Sequence, residues 1–471
     1  FVAPASMMLT EKAPITALLT PGYFLTTTPT SAPTSQPTLE HTLTPEGGSS
    51  ALPPDGGSAL QPNQTPVATP VFSALSEEEL ATATAVEEEV YSVRTLNGPA
   101  KLERQLVSES GLYQAMSNYL ITEENQDQLA ADAIVLRAFG FINGETDLTR
   151  GFIASKADPV GGYFDQNASI IYIIGSEFGP EQQYIYAHEY AHAIQDANFG
   201  LQRLGFTPNC EKSFQACLAS QAIVEGEATL VENLWYALHP PEGDLNDFID
   251  QIPAVRFDDG TLPDYFRMNA QFPFQQGLDF VRNIYEDGGW KAVNRMYGYL
   301  PATTEQILHP DKYQRGEIGA DMSHPDLSLV LDDSWELVRE ESLGEWESFL
   351  LLAYNDYPDA GQPVEASQDA AAGWGGDEYQ VYYNADTGKT FLSSYWLWET
   401  EEDADEFYDL LTSYVNIRMF SSNVDGPGDG VCWFFEQQMS CIYRSGRFIL
   451  WLHTDEVGLI EEVLPRFTKF N

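Results

Sequence analysis

Positive charge is the first thing this chain is short of. Lys and Arg number 23 against 71 Asp and Glu, giving a formal net charge of -48 over 471 residues. Nucleic-acid binding needs a basic footprint, so that class of partner is excluded. Electrostatic docking on anionic lipid is excluded for the same reason. The acid excess suits solubility in a salty milieu. Long apolar runs are also missing: no stretch is long enough to span a bilayer, and no basic segment leads into a signal-like apolar one. The sequence begins at Phe1 rather than Met, and the expectation is a signal or anchor removed or not included.

Cysteine is scarce. Cys210, Cys217, Cys432 and Cys441 form two sequence-local pairs, neither with the C-x-x-C spacing of a zinc site. Two local disulfides in an oxidising compartment are expected, with four buried thiols as the alternative. Cys432 and Cys441 flank "WFFEQQMS", which reads as two strands joined by a turn and would set them face to face.

What the chain has in plenty changes along its length. Residues 1–75 are rich in Thr, Pro, Ser and Gly ("TTTPTSAPTSQPT", "GGSSALPPDGGSAL") and cannot bury enough apolar surface to order themselves. They read as a disordered tether, suited to holding a domain off a membrane or cell wall. Asn63 and Asn167 stand in N-x-S/T patterns, relevant only where secreted proteins are glycosylated. Regular structure is expected from Ser76, whose three following glutamates mark a helix start. Helical patterns continue through "LERQLVSESGLYQAMSNYL" and "QDQLAADAIVLRAFGFI"; "GGYFDQNASIIYIIG" then reads as one or two strands around a turn. Two further helices are "FQACLASQAIVEGEATLVENLWYAL" and "FQQGLDFVRNIYEDGG". Residues 361–372 are small and polar and are taken as a domain boundary. Beyond them the pattern is strand, strand, helix, strand, strand, helix, an α+β domain spanning 361–471. "NVDGPGDG", Asn423 to Gly430, lacks the spacing of an EF-hand loop and reads as a turn.

Histidine is scarce too, at 7. Two of them sit four apart in "YIYAHEYAHAIQD". On a helix, His188 and His192 share one face a turn apart, where both imidazoles can reach one zinc ion. Glu189 projects beside that ion and can take a proton from water. With so few histidines, a chance HExxH anywhere in the chain is about one in a hundred. The alternative is two core histidines bonded to backbone, with Glu189 in an ion pair. A catalytic zinc needs a third protein ligand. The longer motif HExxHxxGxxH is absent, since Gln195 and Asn198 stand at its last two positions. Glu225, on "AIVEGEATLVE", is the best candidate. Gly226 would let that helix approach the motif helix closely. Thr229 and Glu232 share Glu225's face and could bond a ligand imidazole; Glu227 points elsewhere. Asp196 could hold the His192 imidazole in its tautomer.

"HEYAHAIQD" followed by "EGEAT" resembles the gluzincin branch of zinc metallopeptidases. A closer resemblance is to exported bacterial zincins that carry HExxHxxQD, an EGxAT helix and a STEQILHPxKY-like loop. This chain has "FPFQQGLDFVRNIYEDGGW" and "TTEQILHPDKY" in the same order, and the resemblance covers about residues 95–350. It implies a mainly helical zincin-like domain at 76–360 with a small edge sheet, zinc as cofactor, and a peptide or protein substrate. In the cleft of such a domain, "GGYFDQNASIIYIIG" would be the edge that pairs with extended peptide. Phe274 occupies a position where relatives often have Tyr, so it cannot donate to an oxyanion. His309, in "ILHPDKY", becomes the suspected donor, against a structural role at a pre-proline turn.

The reading is an exported, tethered zinc metallopeptidase, with His188, His192 and Glu225 as ligands, Glu189 as general base and His309 as oxyanion donor. Two alternatives stand beside it: a zincin-fold surface binding protein without turnover, and a zinc hydrolase of a non-peptide amide.

Overall fold

The Ser76 side chain accepts from the Glu79 N–H and Glu79 returns a bond to the Ser76 N–H, so a capping box starts the helix Glu77–Arg94 where the sequence placed it. The computed structural model describes residues 71–143, 146–204, 210, 213–243, 245–357 and 359–470. The tether expected at 1–75 and the Asn63 pattern therefore lie almost wholly outside the described residues. At the tether's expected end, Phe72–Ala74 is already a strand, paired with Glu103–Val107.

The described residues form an α+β fold. Its first sheet has four strands in the order Phe72–Ala74, Glu103–Val107, Ile170–Ile174, Gly162–Asp165. "LERQLV" is thus not helical as expected. Glu103–Val107 runs parallel to Ile170–Ile174, in a sheet where Leu106 and Val107 are buried. Parallel neighbours need a long crossover. Here it contains the helices Glu109–Leu120, Glu123–Phe139 and Leu148–Ala154. The strand Gly162–Asp165 turns back antiparallel to Ile170–Ile174 and ends the sheet. Asp165 fixes that turn by accepting from the Asn167 and Ala168 N–H groups.

The second sheet has seven antiparallel strands in the order Trp335–Glu341, Trp374–Asn384, Lys389–Trp398, Phe448–Thr454, Gln438–Ser445, Val431–Phe435, Asn423–Val424. Side chains alternate across it. Leu392, Trp396, Ile449 and Trp451 join the core shared with the helical half and the helix Glu401–Arg418. Phe391, Tyr395, Leu450 and Leu452 pack under Leu327, Leu331 and the C-terminal Ile460 and Val463. Trp335–Glu341 pairs with Trp374–Asn384, so the sheet starts upstream of the boundary expected at 361. The last strand of the expected pattern, "SCIYRSGRFILWLH", is instead two strands, because Gly446, with φ of 59°, allows a two-residue hairpin turn.

The halves meet at the end of the helix Glu123–Phe139. Its last carbonyls have no partner within the helix. The buried Arg418 guanidinium donates to the carbonyls of Ala138 at 2.9 Å and Phe139 at 2.8 Å, and Tyr414 Oη donates to Phe139 at 2.6 Å.

Candidate metal centre

Three helices position the site. The motif helix Pro180–Phe199 opens on a proline at its first turn, and every residue from Tyr184 to Gln195 is buried. A helix buried on all sides belongs to the core, and that burial forces its polar residues to find partners. The glutamate helix Phe214–Leu238 is capped by Ser213 and packs across it. The helical segment Asp264–Met296, broken at Gly288 and Gly289, packs against the glutamate helix. There Gly226 meets Gly277 so closely that a Cβ on Gly226 would stand 2.2 Å from the Gly277 carbonyl carbon. Gly226 therefore serves this crossing, not the approach to the motif helix expected from the sequence.

The structure brings His188, His192 and Glu225 together. Glu225 Oε2 lies 3.4 Å from His188 Nε2 and 3.2 Å from His192 Nε2, with all three side chains buried. Each imidazole commits its other nitrogen: His188 Nδ1 to Glu232 Oε2 at 2.8 Å, and His192 Nδ1 to Gln195 Oε1 at 2.8 Å. Gln195 is itself held by donating to the Val224 carbonyl at 2.9 Å and Tyr297 Oη at 3.2 Å. Its amide oxygen must therefore accept, and His192 Nδ1 carries the proton. With Nδ1–H donated, the Nε2 of each ring faces the carboxylate, and what sits between them must be positive: a proton on Nε2 or a metal ion in its place. Ligand atoms about 2.0–2.2 Å from a tetrahedral ion stand about 3.3–3.6 Å apart, so the two separations to Glu225 leave room for a metal ion among these three residues.

The remaining candidates separate clearly. Glu232 takes the supporting role expected of it. Thr229 does not: its hydroxyl donates to the Glu225 carbonyl at 2.8 Å. Asp196 instead accepts from the Leu201 N–H at the helix end, and the role on His192 expected of it falls to Gln195. Glu227 is tied up by the buried Arg94 at 2.6 Å and by the Tyr297 hydroxyl. Phe274 lies 6.2 Å from the His188 ring, centroid to centroid. His309 is placed elsewhere, at the joint between the short helices Thr304–Leu308 and Pro310–Arg315. Its Nε2 bonds Glu345 Oε1 at 2.9 Å, and this bond raises its pKa above the usual histidine value. None of its described contacts is with the cluster.

Glu189 is buried beside the cluster, and its Oε1 has no donor among the described residues. Burial first, and then the neighbouring Asp158 carboxylate, hold its pKa well above the ordinary carboxylate range. Gly162, on the edge strand, lies directly against it. Burial alone would depress His188, but Asp158, Glu225 and Glu232 outweigh it and raise its pKa well above the usual value. Asp158 is the site residue that sequence reasoning missed. Its Oδ2 is 3.3 Å from His188 Nε2. It stands in the loop between the helix Leu148–Ala154 and the edge strand, where no local pattern marks it. Gln195 carried a readable signal, three residues past His192 on the same face.

Both cysteine pairs are disulfides, Cys210–Cys217 and Cys432–Cys441, the latter directly opposite in register on neighbouring strands. Such bonds suit an oxidising environment. Among the described residues no helix is long and apolar enough to cross a membrane.

A family model described as a domain of unknown function, DUF8575, matches residues 335–464. Its match opens on the first strand of the seven-stranded sheet and leaves the metal centre outside. No curated protein and no solved structure matches the chain.

Proposed function

We propose that this protein is a zinc-dependent metallopeptidase, with a zincin-like arrangement in its helical half, working outside the cell on peptide or protein substrates. One observation carries the reading: two imidazole Nε2 atoms, each with its Nδ1 committed to a buried partner, converge on a single Glu225 oxygen. His188, His192 and Glu225 would hold the ion. Zinc held there supplies a Lewis acid that polarises a carbonyl and lowers the pKa of water towards about 7. Glu189, buried beside the cluster, would accept the proton and pass it to the leaving amine. The edge strand Gly162–Asp165 pairs on one side only among the described strands. Its other side can take an extended peptide as an added strand, beside Glu189. The two disulfides support an oxidising, exported setting, and a tethering role for residues 1–70 belongs to the same proposal.

The test is metal analysis and peptide hydrolysis on one preparation. Folded protein should hold about one zinc per chain and cleave a denatured protein mixture in a chelator-sensitive way. Glu189→Gln should keep the zinc and lose turnover by about 100-fold or more, the range for a general base. Folded protein without zinc, or Glu189→Gln with full turnover, would sink the proposal.

A further inference from the structure

A cavity of about 180 Å³ lies between the helical half and the seven-stranded sheet. Its walls are largely aromatic, with Phe139, Phe141, Phe152 and Phe266 among them. An apolar cavity of about 150 Å³ takes a benzene ring, so this one has room for a comparable group. Its polar groups are unevenly matched. Asp132 and Glu341 share Arg339, at 2.6 and 3.8 Å. Glu347 accepts from Tyr265 Oη at 2.6 Å, and burial pushes its pKa up to about 8, so it is uncharged at neutral pH.

Lys156 is different. Its Nζ donates to Gln221 Oε1 at 2.6 Å, and no carboxylate lies within ion-pair distance among the described residues. Burial draws its pKa down to about 8, so it keeps its charge near pH 7. A partly buried ammonium with donors to spare favours an anion. Asn269 adds to this. It is buried, its Oδ1 accepts from Trp346 Nε1 at 2.8 Å, and its Nδ2 has no acceptor among the described residues. Both residues line the cavity. The ammonium also stands next to the metal centre. Gln221 precedes Glu225 by one turn on the same helix face, and Asp158, two residues after Lys156, touches His188.

We propose that this cavity receives an apolar group bearing a carboxylate, with the Lys156 ammonium as its counter-ion and Asn269 Nδ2 as a further donor. As a pocket for the substrate residue beside the cleaved bond, it rests on the metallopeptidase reading; as a binding site it does not. In a peptide, the carboxylate would come from an acidic side chain or from a free C-terminus.

The first test compares 4-phenylbutanoate with 4-phenylbutanamide by calorimetry on the full chain at pH 7. The acid should bind about tenfold or more tightly than the amide, the scale of one charge-assisted hydrogen bond. This preference should persist after chelator treatment and vanish in Lys156→Met. Lys156→Gln gives the same comparison if the Met variant does not fold. Equal binding of acid and amide, or a preference that disappears with the metal and survives Lys156→Met, overturns the proposal. The second test uses Glu189→Gln protein and peptides that differ only in a free or amidated C-terminus, or only in Glu against Gln. A preference in either pair identifies the carboxylate's source, and none in both overturns the substrate role. Carboxylate binding with no hydrolysis by the zinc-loaded wild-type protein would leave the cavity standing and remove the peptidase reading. Hydrolysis without a carboxylate preference would do the reverse.

Discussion

Gly162 and Glu189 are in contact: a Cβ at position 162 would stand 2.4 Å from Glu189 Oε1. The edge strand thus runs over the Glu189 carboxylate with no side chain between them. Gly162→Ala should push the carboxylate aside while leaving the metal ligands in place. Turnover should fall by about tenfold or more, since small misplacements of a reacting group are costly. Overpacking should destabilise the fold by about 1–3 kcal/mol. Kinetics, zinc content and melting on one preparation decide this, and wild-type turnover in Gly162→Ala would contradict it.

Glu232 holds the His188 ring through Nδ1. Glu232→Gln should weaken zinc binding by about 10–100-fold, the usual effect of losing an outer partner of a ligand imidazole. Competition with a chelator of known affinity measures it. Thr229→Val provides the contrast, because its hydroxyl bonds only the Glu225 main chain, and zinc affinity there should change little.

His309 is tied to Glu345 rather than to the cluster. His309→Ala should leave turnover within about twofold while destabilising the fold by about 1–3 kcal/mol, as a buried carboxylate loses its partner. Because the bond raises the His309 pKa, its contribution is full below the unfolded-state value and is lost as pH rises through the raised one. Melting of the variant should accordingly vary less with pH than that of wild type across this range. A fall in kcat of about 100-fold at unchanged KM would instead restore the oxyanion role.

Glu347 gives a slope of its own. Burial raises its pKa from 4.5 to about 8. Below the lower value both states are protonated; between the two, the unfolded chain ionises while the folded one holds its proton. Stability therefore declines as pH rises through this window and levels off above it. Glu347→Gln should flatten that decline in thermal melts taken at pH 5.5 and 8, and parallel curves for the two proteins would refute it.

Local signals in the sequence were read well where a single residue type has one structural use. Ser76 with Glu79 marked a helix start, and the glutamate helix was read with its ends at Phe214 and Leu238. The His-Glu-His spacing and Glu225 were legible because their chemistry demands one helix face and one nearby acid. What failed depends on tertiary context. Pro273 reads as a helix breaker, yet the helix begins earlier, at Asp264, and passes through it, held by packing that includes the Gly226–Gly277 crossing. "LERQLV" has helical composition but pairs as a strand with residues far along the chain. Asp158 reaches His188 from a loop, and Lys156 reaches the cavity from the same stretch. Neither has a periodic pattern, because loops are placed by the elements they join.

The guanidinium of Arg418 fills the open end of the helix Glu123–Phe139. It lies inside the segment that the family model matches, while the carbonyls it satisfies lie outside. Cut free at residue 334, that segment would carry a bare cation amid an uncovered row of tryptophans. It is therefore a plug as much as a domain, and it requires a socket. Any other chain that bears this arginine must present a helix end in the same place, or solve the same electrostatic problem another way.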